Sequence, residues 1–278
     1  MNARSLLFPL LLLASTAQAD NRLAMIDAHA HYALPDSLVF SPEAVLALLD
    51  SAGVSRLVVT SQPPALAQTL YRHAPARILP LLGVYGHGLG KARWVHDDTL
   101  PARVEAALDA DPWAGLGELH LFAADAQQPV FQALVKLAAQ RQLVLLLHGD
   151  ADIVHHAFAI APGVRILWAH LGTEPQPEAL EPLLAQYAQL WIDTSVRDER
   201  IAPDGQLLPE WRALFERHPT RFVAAVDTFS THRWHHYGEV VDAIRHWTGS
   251  LPPGLQRRLL HDNAARLFDA FPAAPGHP

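Results

Sequence analysis

The chain contains no cysteine, which removes disulfides, thiolate ligands and cysteine nucleophiles together, so any metal must be held by nitrogen and oxygen. It has no apolar run of the ~20 residues that a bilayer-spanning helix needs. Its first apolar stretch, Leu6 to Leu13, follows Arg4 and precedes Ala17-Gln18-Ala19, the order of a secretory signal peptide with a small-x-small cleavage site. The expectation is a signal peptide over residues 1–19 and export of Asp20 to Pro278, most simply to a bacterial periplasm. A lipid anchor would require a cysteine after the cleavage site. Positive charge is also scarce: the formal net charge is −7, and more negative once Arg4 is removed. Such a chain is a poor electrostatic partner for nucleic acid or an anionic membrane. No linker, repeat, charge block or low-complexity segment divides it. A single domain over 20–271 is expected, with a frayed tail over 272–278.

What is present is an apolar-rich sequence, 50% hydrophobic and 18% charged, able to bury a large core. Short β-type runs (Leu23 to His29, Arg56 to Thr60, Arg77 to Val84, Gly115 to Leu121, Leu143 to His148, Val164 to His170, Leu190 to Thr194, Arg221 to Asp227) alternate with amphipathic segments. Among these segments are Pro42 to Ala52, Leu100 to Ala110, Val130 to Gln142, Pro177 to Ala188 and Gln206 to His218. Strict alternation implies a parallel sheet, and eight strands is the number that closes into an α/β, (β/α)8 TIM barrel. No Gly-x-Gly-x-x-Gly turn follows the first strand, which disfavours an open doubly wound sheet. Asn263 to Phe268 predicts part of an additional C-terminal helix. The loops Tyr85 to Asp98 and Thr228 to Tyr237 are longer than connection requires and belong at the C-terminal face, where barrel active sites are built.

The run Ile26-Asp27-Ala28-His29-Ala30-His31 places two histidines one residue apart, roughly 7 Å along a strand and on one face. With 17 histidines in the chain, a bare His-x-His arises by chance. The argument gains weight because His148, His170 and Asp227 each end another apolar run, and Glu118 lies inside a fourth. A parallel barrel brings all such ends to one rim. Together they point to a metal site.

The opening IDAHAHY, the strand ends of LVLLLHGD, RILWAHLG and RFVAAVD, and the closing DNAARLF make the chain similar to the amidohydrolase superfamily over nearly all of the expected mature sequence. It most resembles the amidohydrolase-related (family 2) branch that contains lactonases and aminocarboxymuconate-semialdehyde-type decarboxylases. The resemblance implies a distorted barrel, a divalent metal held by His29, His31, His148 and Asp227, and His170 near that metal or on a second one. Some branches carry a carboxylated lysine on strand 4. This strand has none, whereas TatD-type hydrolases use a glutamate in a similar Gly-Glu context. Glu118 is therefore either a ligand of a second ion or an inward carboxylate bonding a ligand histidine. His120 shares its face.

Asp227 can hold the ion and also accept and return a proton, so Asp227 and His170 are the expected catalytic pair. Among the rim donors, Arg197, Arg233, Trp94 and His87 are expected to bind substrate, the guanidinium groups clamping a carboxylate and the indole forming an apolar wall. The resulting expectation is metal-activated water attacking an ester, lactone or amide bond of a small molecule, anionic if the arginines bind it. Zinc is the default ion, one or two per chain, with manganese or iron compatible with the same donors. The alternatives are a non-oxidative decarboxylase on the same scaffold and a non-catalytic periplasmic metal-binding protein. Oligomeric state is not legible.

Overall fold

Ser41-Pro42-Glu43 starts a helix as its residue types dictate: the Ser41 hydroxyl accepts from Ala44 N at 3.3 Å and proline occupies the first helical position. Such signals recur through a computed structural model that describes residues 22–85 and 90–271. The expected signal peptide, the tail 272–278 and His87 lie outside the described residues.

The strands are β1 (Met25–His31), β2 (Val54–Thr60), β3 (Ile78–Leu82), β4 (Gly115–His120), β5 (Val144–His148), β6 (Arg165–Trp168), β7 (Leu190–Asp193) and β8 (Phe222–Val223). All neighbours pair in parallel in the order β1 to β8. Around them lie α1 (Leu34–Ser37), α2 (Pro42–Ser51), α3 (Ala65–His73), α4 (Leu100–Ala110), α5 (Pro129–Gln140), α6 (Ala151–Ile160) and α7 (Pro177–Gln186). The second half continues with α8 (Asp198–Ile201), α9 (Pro209–Arg217), α10 (Thr231–His235), α11 (Tyr237–Thr248), α12 (Pro253–Arg257) and the C-terminal α13 (Asn263–Leu267). This is the expected (β/α)8 barrel with an extra terminal helix. No helix among the described residues is long and apolar enough to cross a membrane.

Two apolar layers follow from strand alternation. Leu57, Leu145, Ile166 and Ile192 pack outward against Val45, Leu134, Leu180 and Phe215 of the helices. Ile26, Val58, Leu79, Leu146, Leu167 and Val223 form the other layer with Leu267 and Phe268, so the terminal helix plugs the barrel end away from the strand C-termini. Phe215 is fully buried between Phe222, Trp211 and Trp247. Phe215→Ala should cost about 3–5 kcal/mol of stability, read from the urea midpoint, because the indoles around it cannot collapse into the space.

The strand bounds differ from expectation where side chains replace ladder bonds. The expected strand to Asp227 keeps regular pairing only over Phe222–Val223. Beyond that, Val226 N donates to the Asp27 carboxylate (2.9 Å) and Asp227 N to His29 O (2.7 Å), closing the barrel against β1. Likewise β6 ends at Trp168, and His170 sits in a following turn with φ 59°.

Candidate metal centre

Each strand delivers its polar residue to the same rim. On β4 this requires a glycine at 117: its φ is +136°, and a Cβ there would lie 2.6 Å from Leu146 O. Glu118 follows, 2% exposed, and its two oxygens divide the site. Oε2 lies 3.3 Å from His31 Nε2 and 3.9 Å from His29 Nε2; Oε1 lies 2.8 Å from His148 Nδ1 and 3.3 Å from His170 Nε2. Asp227 closes the ring from beyond β8, with Oδ1 3.3 Å from His31 Nε2 and 3.9 Å from His29 Nε2, and Oδ2 3.7 Å from His170 Nε2.

These spacings test whether the donors suit an ion. Four atoms at tetrahedral angles about 2.1 Å from one centre lie about 3.4 Å apart. His29 Nε2 and His31 Nε2 are 3.2 Å apart, and their distances to Glu118 Oε2 and Asp227 Oδ1 run from 3.3 to 3.9 Å. The buried Asp227 Oδ1 has no hydrogen-bond partner. A buried carboxylate oxygen left unbonded beside imidazole nitrogens suits a cation ligand. His29 makes the same point: burial opposes its charge, yet Asp227, Asp193 and Glu118 push its pKa up to about 10. The site favours positive charge at that spot, whether proton or metal. Burial likewise opposes ionisation of Glu118, but His148, His170, His29 and His31 hold its carboxyl well below the ordinary range. The residues therefore form a cluster able to coordinate a divalent ion.

The outward nitrogens are fixed by a network centred on Asp193, which is fully buried. Asp193 Oδ2 accepts from His29 Nδ1 (3.0 Å), while Oδ1 accepts from His170 N (3.0 Å) and from Ser195 N and Oγ. Ser195 Oγ in turn accepts from His170 Nδ1 at 2.8 Å. Both imidazoles thus turn Nε2 toward the cluster with the lone pair free for an ion. Although burial opposes it, the bond from His29 holds the Asp193 carboxyl down to about 2. Asp27 works on the same strand: its carboxylate receives His29 N, Val226 N and Tyr237 Oη, and burial raises it to about 7.

On the β4 side, the register sets His120 opposite His148, and their rings stack at 4.2 Å. Tyr85 Oη and Lys91 Nζ lie 2.8 and 2.7 Å from the two His120 ring nitrogens. Burial, against the pull of Glu118 and with the push of His148 and Lys91, lowers the His120 pKa to about 3. His120 is therefore neutral and accepts from the lysine ammonium.

Above the cluster opens a cavity of about 490 Å³, lined among others by Tyr85, Lys91, Arg197 and Phe229. Four of the expected binding residues separate here. Arg197 lines the cavity, its Nε anchored on His170 O at 2.9 Å. Arg233 does not: its Nε and Nη2 bond the carbonyls of Asp227 and Val226, so it holds the loop bearing Asp227 in place. Trp94 is fully buried, its indole N–H donating to His120 O, and it supports β4 from behind instead of walling the cavity. His87 is not among the described residues. Asp193 is a buried hydrogen-bonding partner and not a ligand, while Tyr85, Ser195 and Asp27 are supporting groups that carry no metal-ligand spacing in sequence. His148 and His170 both approach Oε1 of Glu118, and His170 Nε2 also lies 3.7 Å from Asp227 Oδ2.

A parallel barrel with nitrogen and oxygen donors converging at its C-terminal face defines the class of protein. No protein-family model matches the chain, and no curated protein matches it. Solved structures do share the fold. An uncharacterised TIM-barrel protein from Bordetella bronchiseptica superposes with a TM-score of 0.62 at 13% identity, covering 89% of this chain and 99% of that one. A probable 2-pyrone-4,6-dicarboxylic acid hydrolase from Acinetobacter baumannii, with citric acid bound, gives 0.60 at 15% identity, covering 88% and 99%. An amidohydrolase from Burkholderia multivorans with bound zinc gives 0.55 at 16% identity, covering 90% and 100%. The chain has a barrel fold that resembles those of several amidohydrolase enzymes.

Proposed function

We propose that the protein is an exported, metal-dependent hydrolase of the amidohydrolase type, cleaving an ester, lactone or amide bond in a small molecule. The observation that carries this is the convergence of His29, His31, Glu118 and Asp227, with both carboxylates 3.3 to 3.9 Å from the two histidine Nε2 atoms and the buried Asp227 Oδ1 without a hydrogen-bond partner. Export rests on the leader pattern before Asp20. Zinc is the first choice of ion, since imidazole and carboxylate donors suit it and the Burkholderia barrel holds it. His29, His31, Asp227 and Glu118 Oε2 would hold one ion, and Glu118 Oε1 with His148 and His170 a second.

A bound divalent ion would supply Lewis acidity toward the scissile carbonyl and lower the pKa of water in the site. The chain's own residues do the rest. Asp227, its backbone pinned by His29 O and Arg233, presents a carboxylate to take the proton of the attacking water and return it to the leaving group. Asp193 and Ser195 keep His29 and His170 in one tautomer and orientation through the cycle. Arg197 lines the cavity with its Nε anchored on His170 O, which leaves its two Nη groups to grip an anionic part of the substrate.

A screen of lactones, esters and amides in oxygen-18 water tests the reaction type. The heavy isotope is expected in a product carboxylate. Carbon dioxide release without incorporation would replace hydrolysis by decarboxylation.

A further inference from the structure

Among the described residues, six large apolar side chains are exposed, and all but Leu23 follow the C-terminal ends of strands. Leu34, Leu38 and Val39 follow β1, and Phe229, 62% exposed, follows β8. These two strands are neighbours at the barrel seam, and a hydrogen bond from Thr231 Oγ1 to Asp36 Oδ1 (2.6 Å) ties their loops together. From these two loops Phe229, Ala33, which precedes Leu34, and Asp36 line the cavity. Phe229 is held at the mouth by the Arg233 guanidinium, 5.4 Å from its ring centre. Exposed apolar groups scattered singly need no explanation, but a cluster at the lip of a polar cavity marks a binding surface.

The same cavity also carries cationic groups. Lys91 is anchored on His120 at the end of β4, and Arg197 on the carbonyl of His170 beyond β6. Each uses one donor for its anchor and retains others. His31, Glu118, His148, His170 and Asp227 line the cavity together with these cations and Phe229.

From this polarity we infer the substrate class: an amphiphilic carboxylate in which the scissile bond joins an apolar acyl or aryl group, lying on Phe229 and the β1 loop, to an anionic part held by Arg197 and Lys91. Acylated amino or hydroxy acids have this form. The inference rests on the hydrolase reading for the bond between the two parts, but its binding test does not depend on turnover. The cavity is of the size that takes a small ligand, and an acyl chain that outgrows it continues along the exposed rim instead of meeting a wall.

The probes are γ-keto acids whose acyl group is acetyl, hexanoyl or decanoyl. They carry a carbonyl and a carboxylate but no bond that water cleaves. Calorimetric titration into the zinc-loaded full chain should show affinity rising about sixteenfold from acetyl to hexanoyl, at about twofold per methylene on an open rim. Phe229→Ser should flatten that rise to about twofold. Arg197→Met, or the methyl ester of each probe, should weaken all members about tenfold while keeping the slope. Circular dichroism melts confirm that both variants fold.

Affinity independent of chain length, or a slope unchanged in Phe229→Ser, would overturn the inference. So would a dimer in sedimentation that Phe229→Ser dissociates, since the rim would then be covered by a second copy of the chain. If the probes bind as stated and no ester, lactone or amide is cleaved, the hydrolase reading fails and the substrate polarity stands. If cleavage occurs and the probes do not discriminate, the reverse holds.

Discussion

Asp227→Asn should retain bound metal and lose about 10²-fold or more in kcat. The amide keeps the shape of the carboxylate and one oxygen that can face His29 and His31, both within 3.9 Å of Oδ1. What it loses is the capacity to accept a proton. Because the backbone on both sides of the residue is pinned, by His29 O and by Arg233, the substitution should leave the fold in place. Steady-state kinetics with elemental analysis of the same sample reads both quantities. Unchanged kcat would remove Asp227 from proton transfer, and loss of all metal would make its role that of an indispensable ligand.

Glu118→Gln is expected to lower the metal content of fully loaded protein from about two ions per chain to about one, and to reduce kcat by ~10²-fold or more. Glu118 is buried, and its oxygens face different histidines, Oε2 facing His29, His31 and His120 and Oε1 facing His148 and His170. Removing the Glu118 charge from between the two groups should empty the one with fewer remaining carboxylate contacts. The His148 and His170 side has only a 3.7 Å approach from Asp227 Oδ2 to compensate. A content of one ion in both wild type and variant would return Glu118 to a hydrogen-bonding role.

The barrel was legible because its signals are periodic: each apolar strand run is followed by an amphipathic segment, and that alternation leaves few topologies open. The convergence of His29, His31, Glu118, His148, His170 and Asp227 followed from it, since residues at strand ends share one rim whatever lies between them. What could not be read were features set by loop conformation or by cross-strand pairing. Arg197 and Arg233 look alike in sequence, yet one guanidinium reaches the cavity and the other bonds the carbonyls of residues 226 and 227. Trp94 stands in a long polar loop, where an indole serves equally as a cavity wall or as a plug. Only the position of His120 O decides that it is a plug. Asp193 reads as a buried hydrogen-bonding group on strand 7, with no sign in the sequence of what it bonds. Its importance lies in being adjacent to His29 and His170 across the barrel, a contact no local pattern encodes. The end of β6 was misplaced for a similar reason: His170 looks like the last residue of an apolar run but adopts a left-handed conformation, with its N–H on Asp193 instead of in the ladder.

The central claim is that this histidine and carboxylate cluster works through a bound divalent ion. Its most direct test is turnover of protein whose metal content has been measured before chelation, after chelation and after zinc is restored. The account predicts activity that falls in proportion to the metal removed and returns with it, in wild type but not in His29→Ala. Full turnover in protein verified to be metal-free would contradict it.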